Sequence, residues 1–330
     1  METTLADQAL DKLSKHTGIK GVFIPITNRK TDIDGKVTLR FENQIQIERN
    51  VEVKKEIRKH HIPQLQQMAR ENAPFLLIAD RLSPTIKQML HEAGIDWLDG
   101  AGNIHFKDQN YFLWIDHHKT TPGKKVKGRA FTKTGLKVVF LFLVDKEWVN
   151  KTHREIAEMA DVALGNIKIV IDGLKEYGFL IKEDDKKYIL KDEKRLLDQW
   201  ISAFIDELQP KIHTGTFSYL DEKDRNNWKK LKLTEGTVWG GEPGGDLLTG
   251  NLKPAKFTLY TNNTRAEIMK DYKLKPNPEG EIEVYKPYWR VDPKYPNIAP
   301  PLTIYIDLMV TGDPRNANIA QELYEKYIAD

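Results

Sequence analysis

Residues 133–191 decide the fold; they read KTGLKVVFLFLVDKEWVNKTHREIAEMADVALGNIKIVIDGLKEYGFLIKEDDKKYILK. The segment 133–144 is strongly apolar and begins beside Thr132 and Thr134, either of which can serve as its N-cap, so it predicts a buried helix. Thr152 and Glu155 have the spacing of a capping box, in which each side chain bonds to the other residue's backbone N–H. The sequence therefore predicts a second, short helix that starts after Thr152.

A third helix and a hairpin follow. Ile167, Val170, Ile171 and Leu174 recur at helical spacing, and Gly178 ends that helix. Residues 179–190 then read as strand, polar turn and strand. Two short helices joined by a tight turn and followed by a hairpin indicate a winged helix-turn-helix, here over residues 133–192. Such units bind DNA or serve as protein–protein modules, and the sequence leaves both interpretations open.

If the third helix enters a major groove, its solvent face supplies the base contacts. Asn166 is the candidate for a base edge, because an amide side chain can pair bidentately with adenine. The lysines and arginines are candidates for phosphates, whereas the acidic pair Asp184 and Asp185 argues against deep insertion of the wing. The predicted DNA-contacting residues are Arg129, Lys133, Thr152, Arg154, Asn166, Lys168, Lys175, Lys186 and Lys187.

Composition and charge restrict the alternatives. The 330 residues contain no cysteine, which excludes disulfides and thiolate metal sites and is typical of a reducing compartment. The start of the chain lacks the pattern of a secretory signal, and the apolar run 138–144 is too short to span a bilayer, so we expect a cytoplasmic protein that binds no membrane. Residues 120–132 are basic and contain Pro122, Gly123 and Gly128, which predicts a linker.

Residues 1–119 predict a mixed α/β domain. Its order of strands and helices, with Glu52-Val53-Lys54 on one strand, resembles the core of the PD-(D/E)xK nucleases. That resemblance implies a magnesium site built by Glu52, an upstream Asp such as Asp34, and Lys54. Asp32 and Asp34 precede their strand instead of lying on it. We therefore expect a nuclease-like fold without activity, and we retain a magnesium-dependent DNA endonuclease as the alternative.

Residues 193–330 predict an α+β domain. It comprises helices at 193–208 and 316–327 and a buried strand at Leu302–Met309. In the segment Trp239-Gly240-Gly241-Glu242, the next acid, Asp246, follows Glu242 by four residues. A strand that carries a metal pair needs a spacing of two, so the pattern favours a glycine turn and a helix start over catalysis.

Three stretches together resemble one family. They are LLIADRLSPTIKQMLHEAGIDWLDGAGNIHF (76–106), GRAFTKTGLKVVFLFL (128–143) and WGGEPGGDLLTGNLKP (239–254), and FTLY (257–260) and APPLTIYIDLMVTGDPRN (299–316) continue the likeness. Together they resemble the AbiEi-type antitoxin and transcriptional regulator family of type IV toxin–antitoxin systems. The resemblance implies a non-enzymatic regulator without cofactor, which binds double-stranded DNA at its own promoter, represses its operon and counteracts a nucleotidyltransferase toxin. A symmetric operator would imply a homodimer.

Overall fold

The protein is described by a computed structural model that covers residues 2–26, 33–42, 45–108, 111–118, 129–183, 187–290 and 296–329. The chain divides into two compact units, Met1–Lys124 and Lys125–Asp330. Each unit combines helices with a sheet of mixed strand direction, which confirms the predicted α+β class.

The first unit is built around a seven-stranded sheet whose spatial order follows the chain from the first strand to the seventh. Its elements are α1 (Glu2–Thr17), β1 (Lys20–Pro25), β2 (Gly35–Arg40), β3 (Gln46–Glu56), α2 (Ile62–Glu71), β4 (Phe75–Arg81), α3 (Pro84–Glu92), β5 (Asp96–Asp99), β6 (Ile104–Lys107) and β7 (Phe112–Ile115). Strands β1 to β3 form an antiparallel meander, β4 runs parallel to β3 and β5, and β6 and β7 are antiparallel.

The central strand β4 explains why this sheet is covered on both faces. Residues 75–79 are all buried, and successive side chains of a strand point to opposite faces. Leu76 and Ile78 join the core that includes buried residues of α1, whereas Phe75, Leu77 and Ala79 join the core that includes α2 and α3. The uninterrupted apolar run of β4 is therefore the sequence signal of a three-layer arrangement.

The second unit begins with the helices predicted from residues 133–191. Its elements are α4 (Lys133–Val144), α5 (His153–Met159), α6 (Gly165–Glu176), β8 (Leu180–Lys182), β9 (Tyr188–Leu190), α7 (Glu193–Ala203), α8 (Gln209–Ile212), β10 (His213–Tyr219), α9 (Glu222–Asn226), β11 (Val238–Gly240), α10 (Gly241–Thr249), β12 (Phe257–Tyr260), α11 (Arg265–Asp271), β13 (Leu274–Pro276), β14 (Ile282–Tyr285), α12 (Pro301–Val310) and α13 (Pro314–Tyr327). A π-helical turn, Phe204–Leu208, continues α7.

One hydrophobic core extends through most of this second unit. It includes buried residues of α4, α5, α6 and α7 together with buried residues of α12 and α13. Trp200 is fully buried in this core and donates a hydrogen bond from Nε1 to the backbone oxygen of Leu136, over 2.8 Å. A second cluster covers the five-stranded sheet, whose order is β11-β12-β14-β10-β13. The helices of residues 133–176 thus share their core with the C-terminal half.

The strand predicted at Leu302–Met309 is wrong, because residues 301–310 form the helix α12. This helix is buried on most of its surface, so its sequence lacks the polar stripe that reveals an amphipathic helix. The strands and helices predicted between residues 22 and 115 are present, as is the helix that ends at Tyr327. Helix α1 has no counterpart among the predicted elements.

Candidate nucleic-acid interface

Helices α4, α5 and α6 pack around a shared set of apolar side chains. Leu136 of α4, Ile156 of α5 and Ile167 of α6 are fully buried in the same core. The hairpin β8–β9 follows α6 directly, with Leu180 opposite Leu190. Asn150 fixes this hairpin, because its side-chain amide exchanges two hydrogen bonds with the backbone of Tyr188, over 2.8 and 3.0 Å.

A capping box starts α5 as the sequence predicts. The hydroxyl of Thr152 accepts from the backbone N–H of Glu155, and the Glu155 carboxylate accepts from the backbone N–H of Thr152 over 2.8 Å. The Thr152 hydroxyl also donates to that carboxylate, and these bonds lower the pKa of Glu155. The hydroxyl of Thr152 is therefore already engaged in hydrogen bonds at the start of α5.

The turn between α5 and α6 is held by Asp161, which has a left-handed φ of 53°. Lys137 of α4 lies 3.2 Å from its carboxylate, and Arg290, from the segment after β14, pairs with its other oxygen. Arg290 also donates to the backbone oxygen of Glu158 over 3.3 Å. The hydrogen bond from Lys137, supported by the charges of both cations, lowers the pKa of Asp161. Two distant segments thus fix the position of α6.

The outer face of α6 is polar with apolar side chains at its start. Ile167, Val170, Ile171, Gly173 and Leu174 are buried, so the opposite side faces solvent. The exposed positions of this face are Gly165, Lys168, Ile169, Asp172, Lys175 and Glu176, preceded by Ala163 and Leu164. Asp172 and Leu164 were not among the residues singled out from the sequence, although Asp172 follows Lys168 at a helical spacing of four.

Several of the predicted DNA-contacting residues are available. Arg129, Lys133, Arg154 and Lys168 are exposed, and within the described part of the chain none of them has an ion pair. Asn166 is half-buried near the start of α6, and its side-chain amide has no hydrogen-bond partner among the described residues. Because these groups have no competing partner there, they can bind phosphates and base edges without breaking an internal contact.

The other predicted contacts are already engaged. The ammonium group of Lys175 lies 3.0 Å from the hydroxyl of Tyr188 and 4.3 Å from the centre of its ring. Lys187 lies 3.3 Å from the carboxylate of Glu183. Lys186, like Asp184 and Asp185, lies outside the described residues, as do Asp32 and positions 119–128 of the basic linker.

The acidic residues of the N-terminal unit form a second candidate site. Glu52 and Lys54 project from the same face of β3, with Nζ 3.0 Å from the Glu52 carboxylate. Asp34 directly precedes β2 and accepts a hydrogen bond from the backbone N–H of Val53 over 2.7 Å. Burial, followed by the charge of Asp34, raises the pKa of Glu52 to about 7 in spite of Lys54. The structure therefore brings together all three residues of the nuclease-like pattern.

His61 borders this cluster and is neutral at physiological pH. Burial, followed by the charges of Lys54 and Arg58, lowers its pKa to about 3. Its Nδ1 accepts from the backbone N–H of Arg58 over 3.0 Å. Within the described residues, no group of three or more His, Asp or Glu has the geometry to hold a metal ion.

The glycine-rich segment at Trp239–Asp246 has a structural role for its carboxylates. Glu242 is buried at the start of α10 and accepts from the backbone N–H of Ala255 over 2.6 Å and from Asn316 over 3.0 Å. Asp246 pairs with Lys229. Gly241 has a φ of 48°, and a Cβ there would approach the Thr258 hydroxyl to 2.4 Å. The glycine is thus required by the turn, and Glu242 ties α10 to α13.

Comparison with known proteins gives a match within the second unit. No helix in the described ranges is long and apolar enough to cross a membrane. No curated protein and no solved structure matches the chain. One family does match: residues 189–329 match the model of the family described as "Transcriptional regulator, AbiEi antitoxin, Type IV TA system", which confirms the family resemblance predicted from the sequence.

Proposed function

We propose that this chain is a DNA-binding transcriptional regulator and antitoxin, which binds its own promoter through a winged helix-turn-helix at residues 133–191. In this proposal it represses its own operon and counteracts a nucleotidyltransferase toxin encoded with it. The observation that carries the proposal is the exposed face of α6 and its surroundings. There, Lys168 and Arg154 have no ion pair and the Asn166 amide has no hydrogen-bond partner among the described residues. The family of residues 189–329 supports the regulatory role and the toxin.

Each residue has a distinct part in this proposal. Lys168 and Arg154 neutralise phosphates and hence contribute to the affinity for every sequence. Asn166 contacts a base edge, so it contributes to the difference between sequences. Arg129 and Lys133, just before and at the start of α4, supply further phosphate contacts. Lys175 and Lys187 keep their partners within the hairpin and support its position.

The test is a titration of the purified chain against a fluorescent duplex of the DNA directly upstream of its own gene. A scrambled duplex of equal composition is titrated in parallel, at several salt concentrations, with and without magnesium. We expect tighter binding to the upstream duplex, and a slope of log K against log salt of about −0.9 for each neutralised phosphate. Lys168→Ala should lower the affinity for both duplexes alike and reduce the magnitude of the slope by about 0.9.

Asn166→Ala should instead reduce the discrimination between the duplexes, by about 1–3 kcal/mol, and leave the slope unchanged. Lys270→Ala, which removes an exposed lysine on α11, is the matched control and should change neither quantity. Equal effects of the Lys168 and Asn166 substitutions on discrimination would contradict these roles. Absence of binding to both duplexes would contradict the proposal and favour a protein–protein module.

A magnesium-dependent DNA endonuclease is the second candidate function. It is favoured by the proximity of Asp34, Glu52 and Lys54, the three residues of the nuclease-like pattern. The order β1, β2, β3, α2, β4, α3, β5 is also the order on which the resemblance to a nuclease-like core rests. Magnesium-dependent shortening of the DNA by the wild-type chain would favour this function. The Glu52→Gln variant should lose this cleavage, and the Glu48→Gln variant should retain it.

A further inference from the structure

The start of α6 exposes two large apolar side chains. The exposed fraction is 54% for Leu164 and 40% for Ile169. The other large hydrophobic side chains among the described residues between 129 and 191 are buried or partly buried. Leu164 also makes no capping hydrogen bond at a position where a polar side chain would stabilise the helix. Neither the core nor the helix terminus accounts for them.

Gly165 lies between them and is equally unexplained by the fold. Its φ is not positive, and a Cβ at this position would meet no atom within 4 Å. Gly165 is the first residue of α6, and glycine is unfavourable by about 1 kcal/mol relative to alanine in the interior of a helix. A glycine at this position leaves the backbone open to close approach by another molecule.

The neighbours of this apolar pair indicate the chemistry of that molecule. At about 100° per residue, Lys168 lies about 40° and Ile169 about 140° from Leu164 around the helix. All three are exposed at the start of α6. Asn166 adds an amide beside Ile169, and Arg154 adds a cation on α5; neither has a partner in the part of the chain that the structure describes. Two apolar side chains that lie apart around the helix are too few for the apolar centre of a protein interface. The carboxylates of Asp172 and Glu176 follow on the same face one and two turns further along α6, so the start of the helix is the part that can approach a polyanion. The two apolar side chains fit a polyanion that carries isolated apolar groups.

We propose that Leu164 and Ile169 contact the C5 methyl groups of thymines in the major groove, with Gly165 permitting close approach of the backbone. This proposal rests on the proposed function, because it requires α6 to enter the groove. The thymine methyl is the one apolar group that the bases present there, and it distinguishes thymine from cytosine and from uracil. The protein therefore reads thymine methyls in addition to the base edge read by Asn166.

The experiment compares two versions of the upstream duplex, one made with thymine and the other with uracil at every thymine position. Uracil has the same hydrogen-bonding groups as thymine and lacks the methyl. The wild-type chain should bind the uracil duplex about fourfold more weakly for each methyl that is buried in the complex. The slope of log K against log salt should be the same for both duplexes, because the phosphates are unchanged.

Variants separate the methyl contact from effects of uracil on DNA shape. Leu164→Ala and Ile169→Ala should each lower the affinity for the thymine duplex and bring the thymine-to-uracil ratio towards one. Lys168→Ala is the matched control, which should weaken binding to both duplexes and keep the wild-type ratio. Because both apolar side chains are exposed, the melting temperature of their variants should stay within about 2 °C of the wild type.

Three outcomes would overturn the inference. If the wild type binds both duplexes with equal, salt-sensitive affinity, the thymine-methyl inference is wrong and the proposed function still holds. A preference for thymine that the double substitution L164A/I169A does not reduce would assign the preference to DNA shape. Absence of binding to either duplex would remove the proposed function, and this inference with it.

Discussion

Glu52 is buried on β3, and its burial raises its pKa to about 7 although Lys54 lies 3.0 Å away. The ordinary value, 4.5, applies to the unfolded chain. The folded state therefore holds this proton more tightly than the unfolded state does. As pH rises from about 4.5 to about 7, Glu52 lowers the free energy of unfolding, and above pH 7 the loss is constant.

Glu52→Gln should consequently stabilise the N-terminal unit at pH 8 and leave its stability nearly unchanged at pH 4.5. The gain at pH 8 is about 3 kcal/mol at most, at 1.36 kcal/mol per pKa unit. Hydrogen exchange of the β3 amides measures the free energy of opening in this unit alone. Glu48→Gln, at an exposed position of the same strand, is the control and should have little effect at either pH. A gain for Glu52→Gln that is equal at both pH values would contradict burial of the charged carboxylate.

Single residues were predictable from the sequence where their partners are close in the chain. The Thr152–Glu155 capping box is an example, because both members lie within one helical turn. The partners of Asp161 and Lys175 were not predictable, since Arg290 and the ring of Tyr188 reach them only through the tertiary fold. Charge and exposure identified Lys168 and Arg154 as candidates, but only the structure separates them from lysines that already have a partner.

Elements whose burial is one-sided were predicted from their periodicity. Helix α6 has a buried and an exposed face, and the alternation in β2 separates buried from solvent-facing positions in the same way. Helix α12 is buried on most sides, and its apolar run is shorter than most helices, so periodicity alone does not distinguish it from a strand. Pro300 and Pro301 at its start are the signal that favours a helix, because proline is well tolerated in the first turn.

The capping box of α5 gives a prediction for this element. Thr152→Ala should lower the free energy of unfolding of the second unit by about 1 kcal/mol, because the backbone N–H of Glu155 loses its acceptor. Thr152→Ser keeps the hydroxyl and should retain most of the stability. Urea unfolding followed by circular dichroism measures both. If alanine and serine are equally destabilising, the loss comes from the methyl group and not from the cap.

Within the second unit, the family-matched residues 189–329 share a core with helices that precede them. Trp200 bonds to Leu136, and the ring of Tyr288 lies 5.0 Å from that of Phe140. We therefore expect residues 125–330 to unfold cooperatively as an isolated fragment, whereas residues 189–330 should not form a stable fold. The shorter fragment would expose the apolar surface that α4 covers.

Near-ultraviolet circular dichroism and urea unfolding of the two fragments check this expectation. Residues 1–124, which contain their own two cores, serve as the comparison and should fold alone. A cooperative transition in the fragment 189–330 would show that α4 contributes little to the C-terminal core. It would also support a domain boundary near residue 192, as the sequence predicts.

The continuous core of the second unit also has a genetic consequence. Random substitutions at its buried positions should disturb helices α4 to α6 and the family-matched segment together, so their phenotypes will be pleiotropic. Under the proposed function, alleles that abolish repression and spare toxin neutralisation should instead map to exposed positions such as Leu164, Lys168 and Ile169. A screen that selects for one phenotype while retaining the other would thus trace the two working surfaces of the protein residue by residue.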